Sequence, residues 1–223
     1  MEVLEIIESF SKTTFGPDRI PPKFVKLGAP ALSNILSELI NECFAMGIYP
    51  DPLKIARLTP IHKSGPTDQS NIYRSISILS ILSKIIEKLT YNRLIKYLDR
   101  HSILNSNQFG FRKAHSTSHA ITSIHEQILE NIDNDEHTFS IYFDLSKAFD
   151  CVNHGILLSK LEHYGVRGVA LNFFKSYLTN CQQYTVVNGR ASYLLNIICG
   201  VPQGSTLGPL LFLLYINDLA TAS

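Results

Sequence analysis

Cysteines are few and scattered in this sequence of 223 residues. Cys43, Cys151, Cys181 and Cys199 stand far apart, and no two of them form a Cys-x-x-Cys pair. Structural zinc sites and disulfide frameworks depend on clustered cysteines, so the sequence favours neither. Dispersed thiols are typical of reducing intracellular compartments. We therefore expect a nuclear or cytoplasmic protein rather than a secreted one.

Long hydrophobic runs and internal repeats are also missing. The most apolar stretch, residues 207–216, is about half as long as the roughly 18 residues that cross a bilayer, and it contains Gly208 and Pro209. The acidic start of the chain is a poor secretory or mitochondrial leader. Hydrophobic residues still make up 45% of the sequence, which is enough for a packed core. The pattern predicts a globular protein without a membrane partner.

The sequence has almost no net charge, but its charges are unevenly placed. The total is +1, whereas residues 54–115 hold eleven lysines and arginines against three acidic residues, a net charge of +8. The remainder must then be acidic. A basic segment beside an acidic one suits an enzyme that contacts phosphates with one part and metal ions with the other. Lysines on ordinary surface helices would produce the same count.

Hydrophobic periodicity predicts an α+β fold. Asn188-Gly189 lies between two strand-like runs and is a strong signal for a type I′ turn. The second half of the chain reads strand, helices, hairpin, helix, which indicates α+β layers rather than a doubly wound sheet. Helices are expected at about 3–10, 30–46, 83–100, 116–132, 154–164, 168–178 and 205–219, and strands at 54–62, 72–79, 138–143, 182–187 and 192–198.

Asp144 is the main catalytic candidate, because it follows the predicted strand at 138–143. Polymerases use carboxylates at such a position to hold two magnesium ions about 3.5–4 Å apart. Read alone, an aspartate after a strand is usually an ordinary turn residue or helix cap, and the flanking residues favour the catalytic interpretation. Asp150 is the rival carboxylate. We interpret it as a helix cap or a pairing residue, because it lies beyond the strand end.

The residues around Asp144 carry a resemblance to a known family. Residues 143–150, Phe-Asp-Leu-Ser-Lys-Ala-Phe-Asp, are similar to the Asp-x-x-x-Ala-Phe-Asp motif of reverse transcriptases of the non-LTR retroelement type, jockey-like or LINE-like. The resemblance implies that the Asp144 carboxylate and the Leu145 carbonyl bind Mg²⁺. It also implies that Phe149 excludes a ribose 2′-hydroxyl, and hence a preference for deoxynucleotides.

A second motif lies some distance further along the chain. Residues 200–205, Gly-Val-Pro-Gln-Gly-Ser, look like the Pro-Gln-Gly loop of the same family. The resemblance implies that Gln203 and Gly204 pack against the incoming nucleotide and the templating base. Without that context, the segment also fits an ordinary strand-to-helix turn.

Two cations in the basic segment match nucleotide-contacting positions of the family. Lys63 and Arg74 lie on a predicted two-strand finger, where a lysine acts as a point charge and an arginine as a fork on a triphosphate. Exposed charges on a hairpin are the ordinary alternative. Ser75 stands where the family usually has proline, so the turn chemistry departs from the pattern.

Residues 108–113, Gln-Phe-Gly-Phe-Arg-Lys, are similar to the family motif Gln-x-Gly-Phe-Arg. Aromatic rings interleaved with cations suit stacking and backbone contact with nucleic acid. The resemblance implies nucleic-acid contacts from Phe109, Gly110, Arg112 and Lys113. The two phenylalanines suit a hydrophobic core equally well.

The resemblance runs from about Lys12 to Leu219, with five motifs in family order. It implies the fingers and partial palm of a right-hand polymerase, without a thumb. The expected divisions are a helical extension at 1–50, fingers at 51–135 and a partial palm at 136–223. The implied partners are an RNA template, a DNA primer and deoxynucleoside triphosphates; no protein partner is indicated.

One family motif is missing, because no Ala-Asp-Asp occurs in the sequence. The two-metal site would then have one of its three carboxylates. We therefore expect a fragment of an RNA-directed DNA polymerase that is inactive as this chain, and whether the chain is itself an enzyme stays open. The alternative is a non-enzymatic RNA- or nucleotide-binding remnant of a decayed retroelement. For the intact protein from which such a fragment would come, the alternative is a related templated polymerase such as a group II intron protein.

Overall fold

The computed structural model describes residues 2–10, 14–66, 68–69 and 72–219. Their mixture of helices and strands confirms the α+β class. The elements in chain order are α1 Glu2–Ser9, α2 Pro22–Leu27, α3 Ala29–Met46, a 3₁₀ turn Asp51–Leu53, β1 Ile55–His62, β2 Tyr73–Ile78, α4 Ile81–Arg100, α5 Thr117–Asp133, α6 His154–His163, α7 Val169–Leu178, β3 Gln182–Val187, β4 Arg190–Ala191, β5 Leu195–Asn196 and α8 Gly208–Ile216.

The described strands form one sheet in the order β2-β1-β3-β4, and β5 also pairs with β3. β1 is antiparallel to β2 and parallel to β3. Leu58 therefore lies opposite Ser77 on one side and Thr185 on the other. This pairing joins the segment predicted as fingers to the segment predicted as palm within a single sheet.

The hairpin after β3 turns at Asn188-Gly189, as the sequence predicts. Both residues have positive φ, 50° for Asn188 and 77° for Gly189, which is the backbone of a type I′ turn. The returning arm is broken into β4 and β5 rather than one strand over 192–198. The turn chemistry was therefore predicted more accurately than the length of the second arm.

Helices α4 and α8 supply much of the hydrophobic core. The leucines of and just before α8 expose 1% of their surface or less: Leu207, Leu210, Leu211, Leu213 and Leu214. Burial on every side explains why this segment has the longest apolar run of the chain. None of the described helices is both long enough and apolar enough to cross a membrane.

The N-terminal helices pack on this core from one end. α1 buries Val3, Ile6 and Ile7 and contacts α3 and α4. α3 ends at Gly47, whose φ of 67° is the left-handed conformation expected of a glycine C-cap. α2 was not predicted. Pro22 at its first turn supplies the preset φ that begins a helix.

Among the described residues, one carboxylate, that of Glu87 on α4, is fully buried in this core. The Tyr177 hydroxyl donates to one of its oxygens over 2.8 Å, and the Thr206 backbone N–H donates to the other over 2.7 Å. Burial raises the pKa of Glu87 to about 7, although these hydrogen bonds and the nearby Lys84 favour the charged form. Desolvation is thus the dominant influence on this group.

The strand predicted at 138–143 is wrong. Residues 137–145 are irregular, and they pair with no described strand. Phe139, Tyr142 and Phe143 each expose 80% of their surface or more. A β-branched and aromatic composition suits a strand, but a strand forms only where a neighbour supplies hydrogen bonds. α5, just before this segment, likewise buries none of its residues.

Folding stability should depend on pH through Glu87. Its pKa is higher in the folded protein than the ordinary 4.5, so the native state binds more protons, and stability falls as pH rises from about 4.5 through 7. The limit of this loss is about 3 kcal/mol. Glu87→Gln imitates the protonated form of the side chain, so this substitution should remove the loss of stability with rising pH. Urea unfolding of the unchanged protein and of Glu87→Gln between pH 5 and 8.5 measures the difference between their unfolding free energies. The contributions of other titrating groups cancel in this difference.

Glu126→Gln is the matched control, because Glu126 is exposed on α5. Its unfolding free energy should follow that of the unchanged protein at every pH. A constant difference between Glu87→Gln and the unchanged protein across the whole range would contradict a buried, titrating carboxylate.

Candidate active site

Two motifs that are distant in sequence, residues 144–150 and 200–204, lie side by side. The Val201 N–H donates to the Phe149 carbonyl, and the Gly200 N–H donates to the Val152 carbonyl, each over 2.8 Å. His154 Nε2 lies 2.7 Å from the Gly200 carbonyl oxygen and adds a third link. The loop at 200–206 therefore has a fixed position relative to the turn that follows Asp144.

Gly200 and Gly204 allow close approach that other residues would prevent. Both have positive φ, 89° and 113°. A Cβ on Gly200 would lie 2.9 Å from the backbone of Asp150, and one on Gly204 would lie 2.7 Å from the Ser77 carbonyl oxygen. Glycine is required at both positions because of the backbone angle and the lack of space.

The other side of the loop is fastened to β2. The Ser77 N–H donates to the Gln203 carbonyl over 2.7 Å. β2 is an edge strand of the sheet, so its outward N–H is free for this contact. The loop thus lies between β2 and the turn after Asp144, which brings three sequence motifs together.

The Gln203 side chain donates from Nε2 to Oδ1 of Asp150 over 3.0 Å. This contact confirms the interpretation of Asp150 as a pairing residue. The alternative, a helix cap, is wrong for the helix that follows, because Asn153 caps α6 by accepting from the Ile156 N–H. Gln203 also lines an open cleft of about 370 Å³ with Ser75, Ser77 and Asp150.

The β1–β2 hairpin places Lys63 and Arg74 on one face. Arg74 lies opposite Ile61, and the Lys63 N–H donates to the Ile72 carbonyl, so the two cations share one side of the pleat. Both are exposed. Ser75 and Ser77, which line the cleft, alternate onto the opposite face.

Gly204 lies between these two faces of the hairpin. A Cβ there would lie 3.2 Å from the Ile76 side chain, which belongs to the same face as Arg74. Gln203, one residue earlier, reaches the cleft on the Ser77 side. The loop thus borders both the cation-bearing face and the cleft.

Phe149 is half-buried in an aromatic cluster. Its ring stacks on Phe212 with centroids 4.7 Å apart and meets Phe111 edge-on at 5.6 Å. Phe111 itself has a φ of 57°, which is a strained conformation for a bulky residue. The cluster joins the loop at 108–113 to the turn after Asp144.

The predicted nucleic-acid residues fall into two groups. Arg112 is committed to its own loop, because it donates to the carbonyls of Asn105 and Gln108 over 2.8 and 3.4 Å. Gly110 and Lys113 are exposed, whereas Phe109 is partly buried and its ring lies 5.8 Å from that of His115. The structure therefore leaves Lys113, rather than Arg112, as an available cation of this loop.

Asp144 is exposed at the end of the irregular segment 137–145, not at the end of a strand. Its carboxylate and the Leu145 carbonyl are two oxygen ligands suited to magnesium. Within the part of the chain that the structure describes, no group of three or more His, Cys, Asp or Glu side chains could hold a metal ion. These residues do not by themselves make a complete magnesium site.

Sequence reasoning missed two residues that hold this region. Glu87 falls at helical spacing in the buried stripe Ser83, Thr90, Leu94, Leu98, so its position was a detectable signal. Asn217 accepts from the Asn105 N–H and donates to the Ile103 carbonyl, which fixes the entry to the loop at 108–113. Nothing in the spacing of Asn217 indicates that contact.

Comparison with known proteins gives one family. The model described as "Reverse transcriptase (RNA-dependent DNA polymerase)" matches residues 61–222. The chain is 35% identical over 228 residues to the probable RNA-directed DNA polymerase from transposon BS of Drosophila melanogaster, a match to 98% of this chain and 24% of that protein. It is 33% identical over 208 residues to the RNA-directed DNA polymerase from mobile element jockey of the same fly, a match to 92% of this chain and 22% of that protein.

A third relative from Drosophila melanogaster is the probable RNA-directed DNA polymerase from transposon X-element, 34% identical over 182 residues, 81% of this chain and 20% of that protein. The chain thus spans about a quarter of the length of these curated relatives, or less. The family match nevertheless covers most of the chain, including Lys63, Asp144 and Gln203. The chain belongs to the reverse transcriptase (RNA-dependent DNA polymerase) family, in its non-LTR retrotransposon branch.

Proposed function

We propose that the chain is the nucleotide-binding part of an RNA-directed DNA polymerase that adds deoxynucleotides to a primer on an RNA template. The observation that carries the proposal is the loop at 200–204, held between β2 and the turn after Asp144. In this assignment residues 51–135 act as fingers and 136–223 as part of a palm. Residues 1–50 form an N-terminal helical extension in this assignment.

The cation-bearing face of the β1–β2 hairpin would take the triphosphate. Lys63 and Arg74 are exposed there, and neither has an ion-pair partner among the described residues. A charge-assisted hydrogen bond to phosphate is about twice as strong as a neutral one. Gly204 borders the same face, and its lack of a side chain allows the loop to lie directly against β2 beside these cations.

Phe149 would select the sugar. Its ring is fixed by Phe111 and Phe212, so it cannot swing aside without breaking two ring contacts. A rigid ring beside the sugar excludes a ribose 2′-hydroxyl by steric conflict. Gln203, on the other side of the loop, would pack against the templating base. The hydrogen bond to Asp150 would hold the Gln203 side chain in place.

Asp144 and Leu145 would supply ligands to Mg²⁺, which in a two-metal polymerase activates the primer hydroxyl and neutralises the triphosphate. Such a site needs more carboxylates than the described residues bring beside Asp144. We therefore propose that polymerisation belongs to the longer protein and that this chain alone binds without extending. The compartment we propose is the nucleus or the cytoplasm.

A non-enzymatic RNA- or nucleotide-binding role is the second candidate. The specific observation in its favour is the net charge of +8 on residues 54–115, combined with an incomplete set of metal ligands in the described residues. It predicts the same binding as the first candidate. The two differ only in whether the function includes nucleotidyl transfer by the longer protein.

Lys63→Ala and Arg74→Ala should each weaken deoxythymidine triphosphate binding by about tenfold, because each removes a charge-assisted contact worth about 1.5 kcal/mol or more. Isothermal titration calorimetry in Mg²⁺ measures the dissociation constants. Lys175→Ala is the control, because Lys175 is exposed on α7 outside the basic segment. Equal effects of all three substitutions would refute a specific role for the hairpin face.

RNA binding should depend on salt concentration, and Lys113 should supply one of the phosphate contacts. For a single strand, the slope of log K against log salt is about −0.7 per phosphate contacted, so Lys113→Ala should reduce it by about that amount. Fluorescence anisotropy with a labelled oligoribonucleotide measures this slope. Affinity that is flat between about 50 and 200 mM salt would exclude binding through the basic segment.

Primer extension on poly(rA)/oligo(dT) with magnesium tests whether this chain alone binds nucleotide without polymerising it. We expect no extension by the 223-residue chain, because one carboxylate supplies too few ligands to hold two metal ions. Robust extension that disappears in Asp144→Asn would show that the chain polymerises by itself. That outcome would contradict both our account of the metal ligands and the non-enzymatic candidate.

A further inference from the structure

Glu87 lies beneath the loop at 200–206 and contacts it directly. One oxygen accepts the Thr206 N–H over 2.7 Å. Thr206 lies two residues before the first residue of α8. A buried carboxylate at this point satisfies the Thr206 N–H and fixes where the loop enters the helix.

The carboxylate is itself held from the far side. The Tyr177 hydroxyl donates to its second oxygen, and the Tyr177 ring meets Tyr49 edge-on at 5.0 Å. The Tyr49 hydroxyl in turn lies 2.6 Å from that of Ser83, one turn before Glu87 on α4. Every rotation of the Glu87 side chain would break a buried hydrogen bond, so the side chain is rigid.

The loop is short, so a fixed position of Thr206 also constrains the position of Gln203. Ser205 Oγ donates to the Pro202 carbonyl over 3.0 Å and accepts the Gly208 N–H over 2.8 Å, so residues 202–208 are bound together. Gln203 lies three residues before Thr206. Its carbonyl accepts from Ser77, and its side chain donates to Asp150.

We propose that Glu87 is a positioning residue that sets the place of Gln203 and Gly204 in the nucleotide site by holding the N–H group of Thr206. It does not touch the nucleotide. The part of this inference that concerns nucleotide affinity rests on the proposed function, whereas the placement of the loop does not. The Ser77 amide reports that placement, because its N–H donates to the Gln203 carbonyl.

Three variants separate positioning from general support of the core. Glu87→Gln keeps an acceptor for Thr206 and a group that can pair with Tyr177. Glu87→Leu keeps the bulk and removes the acceptors. Tyr177→Phe removes only the hydrogen bond on the side away from the loop. Loss of core stability is expected in both Glu87→Leu and Tyr177→Phe, but loss of loop position only in the former.

Amide hydrogen exchange of the 223-residue chain is the first measurement. Glu87→Leu should accelerate exchange at Ser77 by at least tenfold, while Glu87→Gln and Tyr177→Phe should change it by less than threefold. The Gly200 amide, which donates to Val152 at the other end of the loop, is the internal reference. Unchanged Ser77 exchange in Glu87→Leu, or equal acceleration in Tyr177→Phe, would overturn the proposal.

Deoxythymidine triphosphate affinity is the second measurement. Glu87→Leu should raise the dissociation constant about tenfold, but less than threefold in a Gln203→Ala background, because it acts through that residue. An equal effect in both backgrounds would overturn action through Gln203. If Ser77 responds as expected but the unchanged protein binds no nucleotide, the proposed function fails while the placement of the loop by Glu87 stands. Should Glu87→Leu not fold, Glu87→Leu with Tyr177→Phe, which leaves no unpaired hydroxyl, carries the same expectations.

Discussion

The hydrogen bonds that hold the loop at 200–206 connect parts of the chain that are far apart in sequence. The turn after Asp144 accepts from the start of the loop, β2 donates to its middle, and Glu87 accepts from its end. Each partner belongs to a different element, so the loop fixes the relative placement of β2, α4 and the turn. A polar loop without these bonds would leave several backbone groups buried and unsatisfied, at a cost of about 1–3 kcal/mol each.

This arrangement gives the site two sides with different chemistry. The face with Lys63 and Arg74 is cationic and open, which suits phosphate. The cleft with Gln203, Asp150 and Ser77 is neutral apart from Asp150 and Lys147 and offers hydrogen-bond donors and acceptors, which suits the edge of a base. Gly204 lies between them because a side chain there would collide with the β2 backbone. The two surfaces therefore differ in the way that our proposal requires, with one surface for the phosphates and the other for the base.

Much of the fold could be predicted because apolar periodicity marks helices, and in α4 it also marks the buried face. The long helices and the Asn188-Gly189 turn have strong local signals. The strand at 138–143 could not be assigned correctly, since its composition is that of a strand but a strand depends on a neighbour that local sequence does not reveal. The motifs indicated Gln203 and Asp144, while the contact between Glu87 and Thr206 depends on how α4 and α8 pack and was not predicted.

The exposed apolar surface of α5 and residues 137–145 contrasts with the packed region around α4 and α8. Ile121 and Phe139, for instance, expose 67% and 92% of their surface. Asp144 lies at the end of this unpacked surface, whereas Gln203 lies at the edge of the packed one. The described core therefore holds the residue Gln203, for which we propose nucleotide binding, but not Asp144, for which we propose metal binding.

Photo-crosslinking is the most direct test that the loop and the hairpin form one nucleotide site. A deoxynucleoside triphosphate with a photoreactive base is bound to the unchanged chain, irradiated, and located by peptide mass spectrometry. We predict label on peptides that contain residues 200–206 or the β1–β2 hairpin, suppressed by excess deoxythymidine triphosphate. Competed label on α6 or α7 instead, or label that excess nucleotide does not suppress, would contradict the account.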